Sequence, residues 1–109
     1  MIQPPIAFRV RDHERPALEV RVNFGLLTGR EVTPAEIDDL ARELRGVVPS
    51  FEIVSEDRHE FGDAIEAAVH QVVVEAPSAT DDVAMDVVGL SERWARACFD
   101  TRHIDLTEL

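Results

Sequence analysis

The sequence contains no lysine, only one cysteine, and no apolar run long enough to cross a bilayer. Each absence narrows what the chain can be. Cys98 has no second thiol to join, so nothing points to a disulfide framework or an oxidising compartment. No stretch approaches ~20 consecutive apolar residues, and no membrane span is expected. Residues 1–5 lack the basic start and apolar core of a secretory leader, so the expected location is the cytoplasm. With lysine missing, all eleven cations are arginine. Guanidinium groups grip carboxylates in pairs and stack on aromatics, which suits protein interfaces. Compositional bias of the genome is the plainer explanation.

Catalytic signatures are missing too. The histidines, His13, His59, His70 and His103, show none of the HxH, HxxxH or HExxH spacings that place two imidazoles on one metal. Cys98 has no neighbouring cysteine, so neither a metal site nor a cofactor is expected. No G-x-S-x-G turn exposes a serine. The segment from Gly25 to Arg30 lies between a strand and a helix, where phosphate loops occur, but lacks their Lys-Ser/Thr ending. Acidic pairs such as Asp38-Asp39 and Asp81-Asp82 belong to no calcium loop; solvation and the helix dipole account for them.

Acid, by contrast, is abundant. Twenty-two Asp and Glu against eleven Arg give a net charge of −11. That balance repels phosphate backbones and anionic lipid surfaces, so nucleic acid and membranes are not expected partners. The charge is also uneven. Residues 1–30 carry five Arg and three acids, a net of +2, and residues 31–109 carry six Arg and nineteen acids, a net of −13.

At 109 residues the chain suits a single α+β domain spanning 1–109, with residues 101–109 a loosely ordered tail or a short edge strand. Ile6, Phe8 and Val10 alternate with Ala7, Arg9 and Arg11, the period of a half-buried strand. Residues 12–16 read as a turn. Leu18, Val20, Val22, Phe24 and Leu26 then alternate as a second strand, pairing with the first as a hairpin. Thr33-Pro34-Ala35-Glu36 is a capping box with proline in the first helical turn. Ile37, Leu40, Ala41, Leu44 and Val48 form the apolar stripe of the helix it opens, with Asp38 set to pair with Arg42. Residues 51–61 and 65–76 read as two more strands, joined by a turn at Gly62-Asp63. Ser78 or Thr80 caps a second helix running from 81 to about 100, with Trp94 and Cys98 on its apolar stripe. There Cys98 is an inert core residue.

The order ββαββα fits a two-layer sandwich, a four-stranded antiparallel sheet with two helices on one face. Its connectivity is that of a permuted ferredoxin-like fold. The other sheet face is then open. It carries Val54 together with either Ile65, Ala67, Val69 and Val73 or Ala68, Val72 and Val74, an apolar surface suited to contact.

Two functional readings follow. The first is a non-enzymatic interaction, regulatory or accessory module, homo-oligomeric through the open face, with its basic hairpin complementing its acidic body. The second is a small enzyme or ligand binder, with a cleft between sheet and dimer partner. Asp57 and His59, two apart on a strand, share a face, so Asp57 is placed to orient His59 as a base; His70 is a second candidate. Arg9, Arg11 and Arg21 are then the candidates for holding an acidic substrate. The plain alternatives are an exposed strand end for Asp57 and His59, a satisfied core histidine for His70, and a solvated turn for His13.

Overall fold

Alternation at Leu18, Val20 and Val22 sets one strand face, and the sheet is built outward from it. The computed structural model describes residues 5–11, 17–62, 66–77 and 79–108, with the side chains of 60, 66, 67 and 101–108 left aside. Four strands, β1 (Ala7–Val10), β2 (Leu18–Val22), β3 (Glu52–Phe61) and β4 (Glu66–Ala76), form one sheet in the order β1-β2-β4-β3. Every neighbouring pair is antiparallel. The helices are α1 (Phe24–Thr28), α2 (Pro34–Leu44) and α3 (Asp81–Glu108). Among the described residues no helix is long and apolar enough to cross a membrane.

The register aligns Val22 with Val72, Val20 with Val74 and Leu18 with Ala76. Opposed residues project to the same side, so these six make one apolar face. They join Leu40 and Leu44 of α2, and Ala84, Val87, Leu90, Trp94, Ala95 and Cys98 of α3, in a single buried cluster. The opposite face carries a row that crosses all four strands: Phe8, Arg21, Val73 and Val54. Val73 is only 2% exposed yet lies outside the core cluster. Of the two sets expected on this face, the one with Val69 and Val73 is there, with Gln71 and Glu75 between and beyond them.

The capping box forms as the sequence implies. Thr33 Oγ1 accepts the Glu36 N–H, and the Glu36 carboxylate accepts the Thr33 N–H at 3.0 Å. Thr80 caps α3, its hydroxyl accepting the Val83 N–H at 3.2 Å. Arg42 pairs with Asp39 rather than with Asp38.

Two expectations are corrected. The second strand does not run through Phe24 and Leu26; it stops at Val22, and residues 24–28 form α1, a third helix. Asn23 is the cause. Its N–H donates to Ile6 O at 2.8 Å, its side-chain amide donates to Pro5 O at 2.8 Å, and its Oδ1 accepts from Gln71 at 2.8 Å. Those bonds anchor the strand end while the chain turns, burying Phe24 and leaving Leu26 58% exposed. Gly29, at φ 72°, closes α1 in the left-handed conformation that glycine adopts without strain. The second correction is at the C-terminal end, where residues 101–108 continue α3 instead of adding an edge strand. The turns expected at 12–16 and at Asp63, the candidate His13, and the alternative cap Ser78 lie outside the described residues, as does the side chain of His103.

Candidate functional site

Beyond Val72 the hairpin of β3 and β4 outruns β2, whose last residue pairs there. Asp57, His59, Ala68 and His70 therefore project together from one side of a two-stranded extension, and α1 and residues 29–31 close over them. The result is a cleft of about 400 Å³ lined by Gly25, Leu26, Arg30, Glu31 and these four residues, among others. Gly25 makes the closure possible. A Cβ at that position would stand 2.9 Å from the His70 Cβ, closer than real Cβ contacts come, and 3.1 Å from its backbone nitrogen.

Register decides which residues meet. Asp57 lies directly across from His70, and its Oδ1 is 2.9 Å from His70 Nδ1. The Asp57 carboxylate thus turns across the ladder to His70 instead of along the strand to His59, the pairing that the sequence suggests, and His59 sits beside it, exposed, opposite Ala68. His70 is nearly covered, its side chain 12% exposed, with Phe24 edge-on at 6.4 Å. Its other nitrogen is occupied as well. Val32 N–H donates to Nε2 at 3.3 Å. An N–H can only donate, so Nε2 is the unprotonated nitrogen and Nδ1 carries the proton that Asp57 accepts. His70 is thereby held as one neutral tautomer with both nitrogens bonded. A base needs a free lone pair facing its substrate, and His70 has none while Val32 holds it.

The loop between α1 and α2 is fixed by a second ion pair. Arg30 grips Glu36 through two bonds, 2.8 and 2.7 Å, with its guanidinium carbon 5.3 Å from the centre of the Phe24 ring. That clamp, together with the Thr33 amide, lowers the Glu36 carboxyl to about 2. Behind it, burial and the neighbouring Glu36 push the Cys98 thiol up to about 12, so it is neither nucleophile nor ready ligand at neutral pH. The Trp94 indole donates to Glu36 O at 2.8 Å. A larger groove of about 540 Å³ lies alongside, between α2 and α3, with Asp39, Glu43, Arg42 and Arg93 on its walls. Charges of both signs and an inert thiol give it no evident chemistry.

The candidate arginines stand apart from the cleft. Arg9 bonds Asp81 at the start of α3, at 2.7 Å. Arg21 lies on the open sheet face and is held by Glu19 at 2.9 Å, Glu56 at 2.6 Å and Gln71 at 2.9 Å. Arg11 is exposed just beyond β1. Two of the three thus spend their charge on acids of the same chain. Glu31, which sequence reading did not single out, is the addition: its carboxylate comes within 4.8 Å of ligand atoms of Asp57 and His70. No local signal marks a loop glutamate; only the folded loop brings it there. No protein-family model, no curated protein and no solved structure matches this chain.

Proposed function

We propose that this chain is a non-enzymatic interaction module that pairs with a second copy of itself through the open sheet face. The observation that carries the reading is the row Phe8, Arg21, Val73 and Val54, which leaves two accessible apolar side chains, Phe8 and Val54, on a face turned away from the core cluster, with Val73 already covered between them. Val54 is 40% exposed although it lies in a strand interior. Arg21 bisects the row, but Glu19, Glu56 and Gln71 satisfy it within the monomer, so covering it adds no unpaired cation.

Four strands ~4.8 Å apart, of 4, 5, 10 and 11 residues, present roughly 500 Å² per copy, at the weak end of specific interfaces. Association at micromolar rather than nanomolar concentration follows. The fold reading that accompanies it is the permuted ferredoxin-like sandwich, with α2 and α3 on one face. The strand order β1-β2-β4-β3 and the shared core of β2, β4, α2 and α3 support it.

The second reading, an acid–base enzyme, is favoured by one observation, the Asp57–His70 hydrogen bond inside a cleft. The Val32 amide on Nε2 weighs against it. Light scattering on V54E and F8E tests the first reading. A lower mass for both variants than for the parent, with unchanged circular dichroism, is the expected outcome. Parent and variants all monomeric at about 100 μM would refute it.

A further inference from the structure

The cleft at the end of the β3–β4 hairpin has a property separate from the sheet face. We infer that Glu31, Asp57 and His70, with His59 at the rim, form a binding site for a divalent transition ion of the zinc class.

The donor types come first. Imidazole with carboxylate selects borderline ions such as Zn²⁺ over Mg²⁺ or Ca²⁺, which prefer all-oxygen shells. The three residues offer ligand atoms within 4.8 Å of one another. Asp57 Oδ1 and His70 Nδ1, 2.9 Å apart, are at the separation two ligands span at roughly 90° on an ion with bonds of ~2.1 Å. Only a turn of the ring is needed, so that its Nδ1 lone pair faces the ion instead of Oδ1.

Preorganisation is the second point. Asp57 and His70 are opposed in the ladder, so the register fixes their spacing. Glu31 directly follows Arg30, which is clamped to Glu36. Its carboxylate has no side-chain partner among the described residues, in a cleft where Arg30, the cation on the wall, is already committed. His59 lines the same cleft and stands opposite Ala68, whose small side chain leaves an imidazole room to lean inward. The neighbouring helix contributes Gly25 and Leu26 to the wall, and among the described residues that line it Arg30 is the one cation.

Binding carries a proton shift that distinguishes it from loose attraction to an acidic surface. The ion replaces the Nδ1 proton, the ring stays neutral, and the proton moves to Nε2. Val32 N–H then faces another donor and must turn away. The Val32 amide is therefore the reporter of occupancy.

The experiment titrates Zn²⁺ into untagged full-length protein, followed by calorimetry and by amide spectra. The expected result is one equivalent bound with Kd at or below about 10 μM. Val32, Asp57, His59 and His70 shift together, and Mg²⁺ competes at least about a hundredfold more weakly. E31Q and D57N each weaken binding about tenfold or more, and H13Q with H103Q leaves it unchanged. E31Q alters an exposed loop residue and keeps the test readable if D57N disturbs the hairpin. Absence of binding, binding insensitive to E31Q and D57N, or equal affinity for Mg²⁺ would overturn the assignment. Because these residues lie on the face opposite Val54 and Phe8, failure here leaves the self-association reading standing.

Discussion

Glu36 carries three tasks with one carboxylate: it closes the helix cap, clamps Arg30, and adds to the burial that keeps the Cys98 thiol protonated. Its folded value near 2 lies below the ordinary 4.5, so the group stabilises the fold as an anion. The contribution is complete above pH ~4.5 and is lost as pH falls through 2. E36Q is expected to cost about 1–3 kcal/mol at pH 7 and to flatten stability between pH 4.5 and 2. Urea melts across that range check it; equal pH slopes for parent and variant would contradict it. Gly25 gives a steric counterpart. G25A drives a Cβ into His70 and its backbone, and a loss of about 1–3 kcal/mol is expected from the same measurement. A neutral G25A would show that α1 does not sit against β4 as described.

Among the elements, α2 was the most legible. Its start is encoded locally by Thr33, Pro34 and Glu36, and its buried positions, Leu40 and Leu44, follow from a single spacing rule, as does the buried Val48 just past its end. T33A removes the cap acceptor and is expected to lower stability by about 1 kcal/mol, read as a drop in denaturant midpoint without a change in slope. The strands β3 and β4 were legible for the same reason, through runs of alternating or β-branched residues. The end of β2 was not. Phe24 and Leu26 keep the alternating rhythm past Val22, and what breaks the strand is a set of long-range bonds at Asn23 to Pro5, Ile6 and Gln71. Hydrophobic pattern carries no trace of bonds made to distant residues. The C-terminal extension of α3 was missed because residues 101–109 lack a clear apolar stripe.

For the whole molecule, pairing between strands matters more than pattern within them. Asp57 and His70 were both singled out from the sequence, yet their partnership rests on the β3–β4 register, which local sequence does not reveal; Glu31 joins them only through the tethered loop. The charge asymmetry between the first thirty residues and the rest was plain in the composition. In the fold part of the positive charge is met internally, Arg9 by Asp81 and Arg21 by Glu19 and Glu56. Self-association therefore rests on apolar contact, with little contribution from charge steering, and is expected to persist at high salt.

That expectation singles out sedimentation equilibrium of the unmodified protein from about 1 to 200 μM, in low and in 0.5 M salt. A monomer–dimer curve with a micromolar midpoint that salt does not abolish is the predicted result. A fixed monomer mass over the whole range would show that the face bearing Phe8 and Val54 meets only water, and would contradict the account.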